Sequence, residues 1–317
     1  MEKDRGQIGV VLVGTGLIAR FHAQAVQASR KLRLVAAANP APGHGDAFAA
    51  EFGVPILRDY DEAMSRPDVG MVLVATPSGA HDDAVFAAAR HRKPVLVEKP
   101  LTISPERADK MIAACAETGT PLGGIFQTRF TDDFRKLREV VESGSLGKIT
   151  FVRVDVPWWR ADSYYAGSWH GTWKMDGGGA LINQAIHMVD WLTALMPPVR
   201  DVKSFTATLA HPMETEDTAA AVLRFDGGAL GAIYATTASY PGRPKRMEIT
   251  GTKGTYVYED SGHGVSRPDQ MEFAAHMECF EAFADSFSGG APYPIDGAAA
   301  RVPIDLIARI YAENRAK

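Results

Sequence analysis

A short glycine-containing loop near the amino terminus has the residue types and spacing of a phosphate-binding turn. Gly14-x-Gly16-x-x-Ala19 follows the apolar run Ile8–Val13 and precedes a helical pattern. In a dinucleotide site the first Gly makes a tight turn, the second lets the backbone approach the pyrophosphate, and the helix supplies N–H donors. The alternative is a glycine-rich turn in another α/β protein. The predicted contacts are Gly14, Thr15, Gly16, Leu17 and Ile18.

The residue that follows the second apolar run should influence the choice of cofactor. A carboxylate there would accept the ribose hydroxyls of NAD, but the sequence has Asn39 followed by Pro40. Asn39 can hydrogen-bond a ribose, yet it lacks the charge that rejects a 2′-phosphate, and no Arg follows immediately. Asn-Pro is equally typical of a simple turn. We expect NAD as the cofactor and leave NADP open.

Two further predicted strands end in polar residues at what should be the same edge of a parallel sheet. Residues 75–81 read ATPSGAH, and residues 98–100 read EKP. Ligands of open α/β sheets lie beyond the carboxyl ends of the strands. Lys99 is therefore either a solvated charge or a placed catalytic cation. We therefore also predict cofactor contacts from these two segments, namely Thr76, Pro77, His81, Glu98 and Lys99.

A triple glycine introduces the second candidate segment, GGGALINQAIHMVD at 177–190. The segment has a helical pattern, and in an α-helix Asn183 and His187 would share one face because they are four residues apart. A His in an otherwise apolar helix is often a packed core residue. Spacing alone therefore leaves both catalysis and packing open for His187.

The composition of the 317 residues excludes several classes of protein. Lys and Arg number 34 against 38 Asp and Glu, which argues against a nucleic-acid binder that relies on positive charge. Two cysteines exclude a disulfide framework or a cysteine-rich metal site, and we expect no metal. The amino terminus lacks a signal-peptide pattern, and no apolar run approaches membrane-span length. We expect a cytoplasmic protein with no membrane partner.

The hydrophobic pattern divides the chain into two predicted domains. Up to residue 125, strand-like and helix-like runs alternate, which indicates parallel crossovers and a doubly wound α/β sheet. Beyond that point, alternating strand patterns dominate, with hairpin signals at 226–228 and 252–254. We therefore predict a Rossmann domain over 1–125 and an α+β domain with a mostly antiparallel sheet over 126–317.

Taken together, these segments resemble the Gfo/Idh/MocA family of NAD(P)-dependent oxidoreductases. The resemblance rests on the glycine loop, ATPSGAH, EKP and the GGG…H segment, in the family's order along nearly the whole chain. It implies a second domain with a large open sheet, whose exposed face commonly makes homo-oligomer contacts. It also implies a C-terminal helix that packs back near the first domain.

The resemblance assigns catalytic roles. Lys99 looks like the family's active-site lysine, in a turn whose Lys-Pro bond is often cis. His187 looks like the general acid/base that takes the hydroxyl proton as hydride leaves carbon. Many sugar and inositol dehydrogenases of the family carry Asp at the position of Asn183. Asn183 can orient His187 or bind substrate, but it cannot accept a proton. Some members with Asn-Gln here act on nucleotide-linked or N-acetylated sugars.

All five tryptophans lie between residues 158 and 191. Family members place substrate contacts in this stretch, and aromatic faces stack on sugar rings. The alternative is an aromatic core beneath a long loop, and Trp191 is expected to be core. Arg129 could meet an anionic group or structure the domain interface. The predicted substrate contacts are Arg129, Tyr164, Tyr165, Trp169, Trp173, Asn183 and His187.

The predicted function is hydride transfer between the nicotinamide and a secondary hydroxyl, or the corresponding ketone, of a sugar, cyclitol or sugar derivative. The same residues also allow a glycoside hydrolase or lyase that uses tightly held NAD for transient oxidation at C3. A non-enzymatic NAD-responsive regulator is disfavoured because Lys99 and His187 are both intact.

Overall fold

The computed structural model describes residues 6–260 and 273–315, and it divides them into two compact units. The first unit contains the described residues up to 130 together with 273–301. The second contains 131–260 together with 302–315. The chain thus returns to the first unit late, whereas the sequence pattern assigned everything after residue 125 to the second domain. Each unit is built around its own six-stranded sheet.

The first unit contains a parallel sheet in the order β3-β2-β1-β4-β5-β6. Its middle strands are continuous apolar runs because helices cover both faces of a doubly wound sheet. The order confirms the predicted Rossmann topology. The strands are β1 (Ile8–Val13), β2 (Leu32–Ala38), β3 (Ile56–Leu57), β4 (Met71–Val74), β5 (Val95–Glu98) and β6 (Leu122–Ile125).

Residues with capping propensity delimit helix α5 (Pro105–Thr118) of the first unit. The N-cap Ser104 accepts a hydrogen bond from the backbone N–H of Arg107, and Gly119 ends the same helix in the left-handed conformation. The helices are α1 (Leu17–Ala28), α2 (Asp46–Phe52), α3 (Tyr60–Ser65), α4 (His81–Arg90), α5 (Pro105–Thr118), α6 (Asp132–Glu142), α7 (Ile186–Leu195), α8 (Ala274–Ser286) and α9 (Gly297–Arg315). None of these described helices is long and apolar enough to cross a membrane.

Helix α8 belongs to the first unit, although it lies far along the chain from the rest of that unit. It packs against α1, and its acidic residues meet the end of that helix. Ser29 donates a 2.6 Å hydrogen bond to Glu281, and the Lys31 ammonium lies 2.7 Å from Asp285. Residues 297–301 of α9 are also part of this unit, and the remainder of α9 belongs to the second.

The second unit contains a mixed sheet in the order β12-β11-β7-β10-β9-β8. All neighbouring pairs are antiparallel except β7 and β10, which are parallel. This confirms the mostly antiparallel sheet. The strands are β7 (Ile149–Pro157), β8 (Val199–Ala207), β9 (Thr218–Phe225), β10 (Leu230–Thr236), β11 (Arg246–Gly251) and β12 (Gly254–Glu259).

Only one face of this second sheet is buried. Along β9, the buried residues Ala219, Ala221, Leu223 and Phe225 alternate with exposed ones, as the period of a half-buried strand requires. Trp191 of α7 is 1% exposed and its ring lies 5.2 Å from Phe134 and 4.9 Å from Tyr258. Trp191 is therefore a core residue, as expected.

Candidate active site

The glycine loop of the first unit has the geometry that a pyrophosphate requires. Gly14 has φ = +105°, and a Cβ there would lie 2.6 Å from the carbonyl oxygen of Ala75. Gly16 is exposed, and a Cβ there would meet nothing within 4 Å. Gly16 is also the N-cap of α1, where no side chain caps the helix and no acidic residue occupies the first turn. The N–H groups of α1 are thus available to an anion.

Asn39 connects the end of β2 to this loop. Its Nδ2 donates to Thr15 Oγ1 at 2.7 Å, and its Oδ1 accepts from the Ala41 N–H at 3.0 Å. A cation that the sequence pattern did not identify lies at the same loop, because Arg58 donates to the carbonyl oxygens of Asn39 and Ala41. The signal for Arg58 was its position directly after β3, which pairs with β2.

The loop after β4 is held from behind by His81. This ring is 1% exposed, and its nitrogens lie 2.9 Å from the carbonyl oxygen of Thr76 and 3.1 Å from that of Leu101. Burial lowers the pKa of His81, while its contacts with the carbonyl oxygens of Thr76 and Leu101 act in the opposite direction. Thr76 Oγ1 is buried and has no hydrogen-bond partner among the described residues. That hydroxyl fits a polar group of the cofactor.

Glu98 and Lys99 form the corner at the end of β5. Glu98 Oε1 lies 2.8 Å from His22 Nε2, and Oε2 accepts from the Lys99 N–H at 2.9 Å. Burial would raise the pKa of Glu98, but the hydrogen bond and charge of His22 outweigh it and lower the pKa to about 2. The Lys99-Pro100 peptide bond is cis, as the resemblance implied.

These features fit a dinucleotide at this edge of the first sheet. The open Gly16, the uncapped start of α1 and the unpartnered Thr76 hydroxyl all suit a bound NAD. Pro77 and Ile18 lie in the same two loops, half-buried, and Leu17 is 66% exposed. The predicted contacts to NAD thus come from neighbouring loops of one sheet edge.

In the second unit, the triple glycine allows the backbone to pass very close to the Tyr311 side chain and to the backbone of Glu216. A Cβ on Gly178 would overlap the hydroxyl of Tyr311, and a Cβ on Gly179 would overlap the carbonyl oxygen of Glu216. The Glu216 carboxylate accepts from the N–H groups of Gly179 and Leu181 and from the Tyr311 hydroxyl. Burial raises the pKa of Glu216 to about 7 despite these bonds. The sequence pattern had not identified Glu216.

The segment after the glycines differs from the predicted α-helix. Residues Ala180–Ala185 form a π-helix, and α7 starts only at Ile186. The prediction that Asn183 and His187 lie on one regular α-helical face is therefore wrong, since a π-helix has a wider turn. Within 176–192, however, Asn183 and His187 are the only residues that are not buried. Two half-buried polar side chains are thus accessible on an otherwise buried run.

A chain of hydrogen bonds fixes the amide of Asn183. Its Nδ2 donates to Asp176 Oδ1 at 2.6 Å, and its Oδ1 accepts from Gln184 Nε2 at 2.9 Å. Gln184 in turn accepts a 2.6 Å hydrogen bond from the Arg160 guanidinium. Asp176 can only accept and the Arg160 guanidinium can only donate, so each amide in this chain has one possible orientation. Asp176 and Gln184 together therefore orient the Asn183 amide. Its predicted catalytic part beside His187 stays a prediction.

The aromatic segment divides into stacked and buried rings. Tyr165 is 7% exposed, and its hydroxyl donates a hydrogen bond to Thr237. Tyr165 is therefore a core residue, and its ring does not offer a face on which a sugar could stack. The rings of Trp169 and Tyr164 lie 4.0 Å and 4.2 Å from that of His170, and all three are half-buried. The sequence pattern had not identified His170.

Two predicted substrate contacts lie outside that stack. Trp173 is 38% exposed, with its ring edge-to-face against Tyr311. Arg129 is half-buried in the short 3₁₀ helix Gln127–Phe130, which belongs to the first unit. Its predicted role as a substrate contact stays a prediction.

Comparison with known proteins assigns a family domain to each of the two units. The profile described as the oxidoreductase family with an NAD-binding Rossmann fold matches residues 8–124, and that of the GFO/IDH/MocA C-terminal domain matches 134–257. The chain belongs to the Gfo/Idh/MocA family. Its first unit is accordingly an NAD-binding Rossmann domain.

Three relatives illustrate the similarity. The WlbA dehydrogenase of Bordetella pertussis, solved with NADH and UDP-GlcNAcA, has a TM-score of 0.90 and 31% identity over 98% of this chain and 97% of that one. The inositol 2-dehydrogenase of Rhizobium meliloti (strain 1021) is 27% identical over 96% of this chain and 97% of its own. The myo-inositol 2-dehydrogenase of Thermotoga maritima is 30% identical over 78% and 73%.

Proposed function

We propose that this protein transfers hydride between NAD and a secondary hydroxyl, or the corresponding ketone, of a sugar or sugar derivative. The observation that carries the proposal is that Asn183 and His187 alone are partly accessible in the otherwise buried run 176–192. A few accessible polar groups on an otherwise enclosed, mostly apolar segment are the arrangement by which ligand sites orient a bound molecule. The Lys99 corner in the NAD-binding unit supplies the second chemical group.

Each residue has a distinct task in the proposed reaction. Bound NAD supplies the hydride acceptor. Lys99 orients the substrate oxygen and stabilises negative charge on it. His187 takes the hydroxyl proton during oxidation and returns it during reduction. Asn183, held by Asp176 and Gln184, positions its neighbours and cannot itself relay the proton.

The proposed substrate carries a ring with an apolar face. Trp169, His170 and Tyr164 form a compact stack of half-buried rings, a surface that matches the C–H face of a pyranose. The WlbA relative was solved with UDP-GlcNAcA. Nucleotide-linked and N-acetylated sugars are therefore the first substrates to test, followed by inositols and free sugars.

An absorbance assay at 340 nm tests the proposal. The full-length protein is mixed with NAD or NADP and a panel of nucleotide-linked sugars, inositols and free sugars. We expect NADH to form with at least one substrate, and Lys99→Met and His187→Asn each to abolish it, with NAD binding intact in His187→Asn. No change in absorbance with any substrate of the panel, while NAD still binds, would contradict the proposal. Cleavage of a glycoside without net NADH would instead establish the redox-neutral alternative.

We further propose that the protein is a cytoplasmic homo-oligomer that associates through the open face of the second sheet. Cross-strand pairing places Phe205, Val222, Leu230 and Phe151 on that face, with exposures of 71%, 58%, 48% and 37%. Contiguous exposed apolar side chains mark interaction sites. The two buried free cysteines, Cys115 and Cys279, suit a reducing compartment.

A further inference from the structure

Three buried titratable side chains from distant parts of the chain meet in the first unit. His22 lies on α1, Glu98 ends β5 and His276 lies on α8, with exposures of 0%, 7% and 2%. One nitrogen or oxygen atom of each lies within 4.8 Å of the other two. Neither histidine has a task in the proposed reaction. Burying three such groups is costly, so their arrangement calls for a function.

The carboxylate of Glu98 links an imidazole to the backbone of Lys99. Its Oε1 accepts from His22 Nε2 at 2.8 Å, and its Oε2 accepts from the peptide N–H of Lys99 at 2.9 Å. Both oxygens are therefore committed. Because a carboxylate is planar, fixing one oxygen by a buried ring also fixes the direction of the other. The peptide from which the Lys99 side chain extends is thus held by His22 through Glu98.

His276 differs from His22 in having no polar partner. Both of its ring nitrogens are buried and lack a hydrogen-bond partner among the described residues. Its ring lies 5.4 Å from that of Phe21 and 5.5 Å from that of His22. Burial, reinforced by the neighbouring His22, lowers the pKa of His276 to about 3. The ring is therefore neutral at physiological pH and behaves as an aromatic wall.

A metal ion is the other occupant that two imidazoles and a carboxylate could attract. Tetrahedral zinc with bonds of about 2.0–2.1 Å would hold neighbouring ligand atoms roughly 3.3 Å apart. The 2.8 Å separation of His22 Nε2 and Glu98 Oε1 is instead that of a charge-assisted hydrogen bond. The geometry therefore favours a direct pair over a bridging ion.

We propose that His22 and Glu98 are positioning residues that hold the Lys99 corner in place, while His276 closes their pocket as a neutral ring. This inference rests on the proposed function, because it assigns the pair a purpose through Lys99. It predicts an asymmetry between the two histidines. Loss of the His22 donor releases Glu98, whereas loss of the His276 nitrogens releases nothing.

Three variants of the full-length protein test this asymmetry. His22→Phe removes the donor, His22→Gln keeps an N–H at nearly the same place, and His276→Phe keeps the ring but not its nitrogens. We expect His22→Phe to lower kcat on the order of 100-fold, with KM for NAD unchanged within about twofold, since the misplaced group is Lys99. His22→Gln should recover most of kcat. His276→Phe should stay within about threefold of the wild type.

Lys99 itself provides a readout that does not need turnover. With NAD bound, the rate of acetylation of the Lys99 amine by acetic anhydride, measured by mass spectrometry, should change in His22→Phe and return in His22→Gln. If the wild type oxidises no sugar, the proposed function fails while this labelling still decides the positioning role. Unchanged labelling and kcat in His22→Phe would overturn the inference. So would one equivalent of metal in the wild type that His276→Phe loses together with activity.

Discussion

The side-chain amide of Asn183 donates to the buried carboxylate of Asp176 over 2.6 Å, and this contact explains why an amide rather than a carboxylate suits position 183. The other oxygen of Asp176 accepts from the Gly171 N–H at 2.8 Å. Asp176 thus carries the negative charge of this small network, and Asn183 supplies a donor to it. A second carboxylate at 183 would oppose the first.

We predict that Asn183→Asp destabilises the protein in a pH-dependent way. Two adjacent, poorly solvated carboxylates cannot both ionise at low cost, so the pKa of one must rise. The free energy of unfolding should fall by about 2 kcal/mol at pH 8 and by less at pH 5, where the pair can share a proton. Urea denaturation at the two pH values measures the difference. An equal loss at both would contradict the charge argument.

The double variant Asp176→Asn/Asn183→Asp is the matched control for that prediction. It reverses the donor and the acceptor, and the new Asn can still accept from the Gly171 N–H while donating to the new Asp. We expect it to recover more than half of the stability lost in Asn183→Asp. Additive losses in a double-mutant cycle would show that the two side chains are not coupled.

A pair of glycine substitutions separates folding from cofactor binding. Gly14→Ala should reduce both stability and NAD affinity, because φ is +105° and the Cβ would collide with Ala75. Gly16→Ala should leave the melting temperature unchanged, since its backbone is extended and a Cβ meets nothing within 4 Å. Its methyl group would nevertheless stand where the pyrophosphate approaches. We expect at least about a tenfold rise in Kd for NAD by calorimetry, or roughly 1.4 kcal/mol. Wild-type affinity in Gly16→Ala would contradict this placement of the pyrophosphate.

The main features of the first sheet could be predicted because its signals are local. Apolar runs such as Ile8–Val13 and Met71–Val74 identify strands buried on both faces, and Ser104 with Gly119 delimits α5. The membership of α8 could not be predicted in this way. Its place beside α1 depends on contacts between residues about 250 positions apart, which leave no periodic signal. His276 was missed for the same reason.

The π-helix at Ala180–Ala185 also escaped prediction, for a different physical cause. Its sequence has the apolar spacing of an ordinary helix, and the wider turn arises from tertiary contacts. Glu216 accepts the N–H groups of Gly179 and Leu181, which start this segment. The π-helical turn therefore coincides with hydrogen bonds to Glu216, a residue 35 or more positions away. The residues of the segment itself give no sign of this turn.

Glu216 should make the stability of the second unit fall as pH rises. Burial raises its pKa from 4.5 to about 7, so the folded state binds a proton more tightly than the unfolded state. The cost of ionising the buried carboxyl is absent below about pH 4.5, grows between pH 4.5 and 7, and is complete above pH 7. A shift of this size corresponds to roughly 3 kcal/mol. Urea denaturation from pH 4.5 to 8 measures it.

The Glu216→Gln variant should lose that part of the pH dependence, because its amide does not titrate. Glu139→Gln provides the control, since Glu139 is an exposed acid on α6 of the same unit. We expect the Glu139→Gln curve to follow the wild type across the pH range. If Glu216→Gln keeps the wild-type slope, other groups carry the pH dependence and the raised pKa of Glu216 is wrong.

Charge placed on the open sheet face should dissociate the proposed oligomer. Phe205 and Val222 lie on neighbouring strands of that face, and the paired charges Arg153 and Asp155 lie on β7. An apolar patch with charged groups around it is the usual composition of a protein interface. Phe205→Glu/Val222→Glu should shift the mass measured by light scattering to that of one chain, while the melting curve stays cooperative. Val302→Glu, at an apolar residue on α9 that is 46% exposed, should leave the mass unchanged. Because both variants add negative charge to an exposed apolar site, a mass change in Val302→Glu alone would locate the contact on α9 instead.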